Sequence, residues 1–88
     1  MPKPYRSKGR VVMDILAALQ REGPVGVTRL LTVANLTHGR IQEHLASLEQ
    51  NGLVANSGPG WSITPKGSQA LQELLRVDRA MQDFGIDL

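Results

Sequence analysis

The sequence predicts a mainly α fold with a small β-hairpin (α+β), and three observations carry that expectation. Apolar residues recur at helical spacing behind the hydroxyls of Ser7, Thr37 and Thr64, which suit helix N-caps. Two short β-prone runs flank the turn-rich stretch Asn56-Ser57-Gly58-Pro59-Gly60. A chain of 88 residues without cysteine builds one modest core, completed by packing or by a partner subunit rather than by disulfides.

Ser7 opens a first helix with Val12, Ile15, Leu16 and Leu19 at i, i+3, i+4 and i+7, and Gly23-Pro24 ends it. Basic residues ahead of this segment invite comparison with a signal peptide. Asp14 interrupts the apolar run, however, and Gln20, Arg21 and Glu22 stand where a cleavage site would fall, so a cytoplasmic protein is expected. Val25-Gly26-Val27 reads as a short extended piece, with Thr28 capping a second helix that carries Leu30, Leu31 and Ala34. Asn35 suits a sharp turn because asparagine enters the left-handed region at low cost. Thr37 then starts a third helix with Ile41, Leu45 and Leu48 inward, closed by Asn51-Gly52.

Leu53-Val54-Ala55 and Trp61-Ser62-Ile63 form the arms of the hairpin. Thr64-Pro65 starts the last helix, which runs to about Asp83. It carries Ala70, Leu74, Val77 and Met81 in one line and Leu71 and Leu75 in a second. Two lines exceed what one domain's cover requires. Either the surplus pairs with a second copy, with Leu71, Leu74, Leu75 and Met81 at the interface and Glu73, Arg76, Asp78 and Arg79 flanking it, or the helix lies in a groove between the first helix and the hairpin.

Net charge is +2, yet the first ten residues hold Lys3, Arg6, Lys8 and Arg10 and no anion, leaving the remainder at −2. A basic arm on a near-neutral body suits a polyanion, and it equally suits a solvated terminus. The chain divides into a basic, disordered arm over 1–6, a core over 7–64 and a terminal helix over 65–88.

Two short helices joined by a tight turn make a helix-turn-helix unit, whose second helix is offered to a nucleic-acid groove. Thr28 and Arg29 lie at the start of the first of them. His38 and Arg40 lie in the first turn of the second and Gln42 follows on a solvent face; Arg pairs with guanine and Gln with adenine. The alternative is a merely solvated face. Gly39 costs helix stability on the order of 1 kcal/mol relative to alanine, which suits close approach to a phosphate or simple tolerance at an exposed position. Asn56 and Ser57 sit on the hairpin, where they can meet the backbone of a duplex.

His44 reads as a half-buried packing residue, and six positions from His38 it makes no metal site with it. Trp61 is expected to pack, with reach toward a partner as the alternative. Three aromatic residues in all argue against a single-strand stacking platform. No nucleophile–base pair, paired carboxylates or phosphate cradle stands at a recognisable spacing, so neither enzyme chemistry nor a metal or cofactor is expected.

The order helix, short strand, helix, turn, helix, hairpin, helix resembles a winged helix-turn-helix with an additional C-terminal helix. It is similar in particular to the small archaeal winged helix-turn-helix DNA-binding regulators of the Sso10a-like family. The residues that carry the resemblance are Val27-Thr28-Arg29-Leu30-Leu31, Ala34-Asn35-Leu36-Thr37, Ile41 to Leu48, Asn51-Gly52-Leu53-Val54 and Ile63-Thr64-Pro65-Lys66-Gly67. The resemblance implies a double-stranded-DNA-binding transcription regulator, dimeric through an antiparallel coiled coil of its last helix. The sequence departs from that family's lysine-rich pattern: the third helix offers Arg40 beside Glu43, and the hairpin from Ala55 to Trp61 is uncharged. A surface so poor in cations is expected to bind DNA weakly and salt-sensitively. The alternative function is a protein-interaction module on the same fold.

Overall fold

The computed structural model describes residues 7–86; the basic arm with Lys3 and Arg6 lies outside them. Four helices and one hairpin follow in the order α1 (Lys8–Glu22), α2 (Val27–Ala34), α3 (His38–Gln50), β1 (Val54–Ser57), β2 (Gly60–Ile63) and α4 (Pro65–Asp83). The mainly α fold with a small β-hairpin is therefore the observed one. Three of the starts follow the hydroxyl rule: Ser7, Thr37 and Thr64 accept the backbone N–H of Arg10, Arg40 and Gly67 at 3.1, 3.3 and 2.9 Å.

The second helix begins earlier than Thr28. Its N-cap is Gly26, without a side-chain hydrogen bond, and Val25 just before it is the residue that pairs with the hairpin. Val25 and Trp61 exchange both of their hydrogen bonds at 2.9 Å, adding a one-residue third strand to the β1–β2 ladder. This approach requires glycine at position 60, whose φ is 154° and whose Cβ, if present, would stand 2.7 Å from the Val25 carbonyl oxygen. Trp61 is buried beside this bridge, in the core.

That core is built around α1. Val11, Ile15, Leu16, Ala18 and Leu19 pack with Leu30 and Ala34 of α2, Ile41, Leu45 and Leu48 of α3, Val54, Trp61 and Leu71. Val12, expected on the inner stripe, is only partly buried at its edge.

The last helix corrects the expectation most. It runs antiparallel to α1, tied by Ser68 Oγ donating to Gln20 Oε1 (2.5 Å) at one end and by Arg10 with Asp78 (2.7 Å) at the other. Its buried residues are Gly67, Leu71 and Asp78, with Leu74 partly buried. The inward stripe thus runs 67, 71, 74 and 78, not along Ala70, Leu74, Val77 and Met81. Leu71, expected at a dimer interface, is 3% exposed in the chain's own core. Leu75 and Val77 are each nearly half exposed, and at 100° per residue they lie on opposite flanks of the inward stripe.

The start of α4 is fixed by backbone. Thr64 accepts from Gly67 and also donates to the Gly52 carbonyl oxygen (2.6 Å), joining the first turn of α4 to the end of α3. At Gly67 a Cβ would stand 2.0 Å from the Leu53 carbonyl oxygen, whereas at Gly39 it would meet nothing within 4 Å. The same substitution should therefore act in opposite directions at the two sites. Gly67→Ala is expected to destabilise the domain by about 3 kcal/mol. Gly39→Ala should stabilise it by about 0.5 kcal/mol. Urea denaturation of the two variants against the parent checks both signs.

Candidate nucleic-acid interface

The turn between α2 and α3 depends on Asn35, the single non-glycine residue with positive φ among those described (φ 56°, ψ 50°), whose N–H reaches the Leu31 carbonyl. Ending α2 there and restarting at Thr37 sets α3 at an angle to α2. Burial of Ile41, His44, Leu45 and Leu48 rotates α3 so that His38, Gly39, Arg40, Gln42 and Glu43 all face solvent. Those are the positions from which a helix laid in a groove reaches bases.

His44 is buried on the inner side of α3, and its pKa is lowered from 6.5 by burial first and then by the positive charges of Arg40 and Lys8, against a smaller opposing effect of Glu43. Lys8 and Arg40 are both exposed. Neither forms an ion pair among the described residues.

The other expected cations are placed differently. Arg29 is held by Glu22 through Nε (3.0 Å) and an Nη (2.9 Å). The bond lowers the Glu22 pKa and raises that of Arg29, so the pair is mutually neutralised. Arg10, expected on phosphate, forms a two-pronged bond to Asp78 at 2.7 and 3.4 Å, with Gln82 donating to the same carboxylate at 3.1 Å. Thr28 is exposed next to Arg29 at the uncapped start of α2. On the hairpin, Asn56, Ser57, Gly58 and Pro59 are exposed, and the Ser57 hydroxyl points back to the Gly60 carbonyl (3.4 Å). The structure exposes His38, Gly39, Arg40 and Gln42 together at the start of α3, leaves Lys8 exposed at the start of α1, and engages Arg10 with Asp78.

A second apolar feature lies on α4. Ala70, Leu74, Val77, Met81 and Phe84 follow a 4-3-4-3 spacing along one line, with Val77 47% and Phe84 81% exposed and Ala70, Leu74 and Met81 partly buried. Beyond Phe84 the chain turns through Gly85, and the Ile86 N–H closes back on the Met81 carbonyl (2.8 Å) beside the Gly85–Gln82 bond (3.0 Å). Phe84 extends the line of Ala70, Leu74, Val77 and Met81 by one further step. The period of 3.5 over five positions is visible in the sequence once Leu71 is assigned inward.

A helix-turn-helix with an exposed second helix, flanked by a hairpin and completed by a terminal helix, defines a winged helix. A profile of the winged helix-turn-helix family matches residues 5–82, and the chain belongs to that family. No curated protein matches the sequence at a significant level.

Because the native imidazole of His44 holds its proton less well than the unfolded chain does, the unfolded state binds more protons below about pH 6.5. The contribution of a neutral His44 is full above that value and is lost as the pH falls below it and through the lowered native pKa. His44→Gln should therefore flatten the fall in stability of the parent between about pH 7 and 5, read from denaturation midpoints.

Proposed function

We propose that the chain is a double-stranded-DNA-binding transcription regulator of the archaeal type it resembles, acting as a homodimer. The exposed start of α3, with Arg40 outside any ion pair among the described residues, is the observation that carries the proposal. In it α3 enters the major groove, Arg40 and Gln42 meet base edges, and His38 and the open backbone at Gly39 lie near the phosphates. Lys8 and the basic residues Lys3 and Arg6 supply backbone contacts, with Thr28 at the start of α2 and Asn56 and Ser57 on the wing. Arg10 and Arg29 are left out, since each is engaged by a carboxylate within the chain. The uncharged wing favours a second reading, a protein-interaction module.

Selection of bound sequences from random duplexes at moderate salt tests the proposal. Recovery of a preferred site supports it, and recovery of none favours the interaction module. With the site in hand, Arg40→Ala and Gln42→Ala should each relax preference at particular base pairs by about 1–3 kcal/mol without unfolding the domain. Parent-like preference in both variants would exclude readout through this helix.

The dimer uses the strip Ala70, Leu74, Val77, Met81 and Phe84. In an antiparallel pairing centred on Val77, Leu74 meets the partner's Met81 and the small Ala70 meets the partner's Phe84, so volumes match along the line. A parallel pairing would set Phe84 against its own copy and leave a gap at Ala70. Leu75, on the other flank of α4, takes no part. Val77→Glu should give a folded monomer in sedimentation at micromolar concentration, while Leu75→Glu stays dimeric. A parent that sediments at 9.6 kDa would end the dimer proposal.

A further inference from the structure

The half of α4 that carries this strip is held to its own domain by very little. Beyond Leu74, Asp78 is the single buried residue of the helix, and it is a carboxylate at a position where the stripe of Gly67, Leu71 and Leu74 would place an aliphatic side chain. Its oxygens take both prongs of Arg10 and the amide of Gln82. The opposite end of the contact is the Ser68–Gln20 hydrogen bond. The two polar ties lie ten residues apart on each helix, about 15 Å at the rise of an α-helix. Two fixed points define a direction. Between them, Met13 is buried on the α1 face that also carries Arg10 and Gln20.

We propose that the Arg10–Asp78 pair is a specificity-determining joint: it fixes the angle of α4 to the domain and thereby the half-site spacing that the dimer accepts on DNA. The inference rests on the DNA-binding dimer proposed above. In that dimer the two α3 helices are connected only through each domain's grip on its own α4. A two-pronged guanidinium–carboxylate contact is directional, whereas an aliphatic contact at the same place permits sliding and rotation. Sensitivity is high. The domain's long dimension is 42 Å. A tilt of α4 by about 10° acting over roughly 20 Å moves α3 by about 3.5 Å, close to one base-pair step, and the two-fold axis doubles it. Asp78 belongs to neither the strip nor the recognition helix, and its hydrogen bonds go to Arg10 and Gln82, so it acts as a positioning residue.

The test uses duplexes carrying two copies of the selected half-site with their separation varied one base pair at a time around one helical turn, read by fluorescence anisotropy. Parent protein should prefer one separation by about tenfold over its neighbours two base pairs away. Asp78→Asn should lower that ratio to about twofold while affinity for a single half-site stays at the parent value, and Asp78→Glu should keep the preference. Because the chain has no cysteine, a single Gln50→Cys spin label at the exposed end of α3 gives a second readout free of DNA. The distance distribution across the dimer should be narrow in the parent and broad with Asp78→Asn. Unchanged spacing preference and an unchanged distribution in Asp78→Asn would overturn the joint. Loss of single-half-site affinity in that variant would also overturn it, since the pair would then serve the whole domain. A parent that binds duplexes without any spacing preference overturns the joint alone, whereas a parent that selects no duplex overturns the DNA reading beneath it.

Discussion

The first helix buries Val11, Met13, Ile15, Leu16, Ala18 and Leu19, and these side chains do not lie on one stripe. Val11, Ile15 and Leu19 share a face, while Met13 points some 200° from Val11 at 100° per residue. A helix buried on two sides needs cover on two sides. One is supplied by α2, α3 and the hairpin, the other by α4 running back along it. A domain this small has little apolar area to spare, so the fold depends on α1 being sandwiched and not merely covered. The place of α3 follows from this, because Ile41, Leu45 and Leu48 dock into the same core from the other side of the helix-turn-helix.

Side-chain packing is supported at two places by direct backbone approach. Gly60 lets β2 close on Val25, which ties the wing to the segment between α1 and α2. Gly67 lets the first turn of α4 sit on the Leu53 carbonyl, with the Thr64 hydroxyl bridging to Gly52. These contacts explain how an uncharged hairpin with exposed Asn56, Ser57 and Pro59 is held in place: β2 is bonded to Val25 along its outer edge at Trp61, and the Thr64 hydroxyl ties the foot of the hairpin to Gly52. Wing, recognition helix and terminal helix are thereby fixed relative to one another within a single small core.

Local chemistry was legible in the sequence. Hydroxyl caps at Ser7, Thr37 and Thr64, the left-handed turn at Asn35 and the stop at Gly52 each depend on residues within one turn of themselves, and all stand where the pattern placed them. What depends on distant partners was not legible. Gly26 rather than Thr28 caps α2, just after Val25, which pairs with Trp61, thirty-six positions away. Asp78 reads as a surface charge until Arg10, sixty-eight positions away, is seen beside it. With that carboxylate misplaced, the inward line of α4 moves by three positions, from 70, 74, 77 and 81 to 67, 71, 74 and 78, and Leu71 changes from interface to core. The candidate site divides in the same way: the exposure of Arg40 and Gln42 follows from the core stripe of α3, whereas the capture of Arg29 by Glu22 and of Arg10 by Asp78 follows only from tertiary structure.

Those two captures bear on how such a protein can hold a polyanion. Affinity for duplex DNA rises with each phosphate neutralised, through release of condensed counterions. A cation already bonded to a carboxylate has less to offer, because its counter-charge must first be displaced. Arg40 and Lys8 form no ion pair among the described residues, and His44 is held toward its neutral form by burial first and then by these two charges. One domain therefore has few contacts with which to bind. Joining two domains makes the second binding event intramolecular, so that modest contacts multiply their effect without any added charge. Under the DNA-binding dimer proposed above, the strip on α4 and the thin cationic surface of α3 have one explanation: a binder that is weak per domain would gain affinity from pairing, and selectivity to the extent that the pairing holds its two reading helices at a fixed distance.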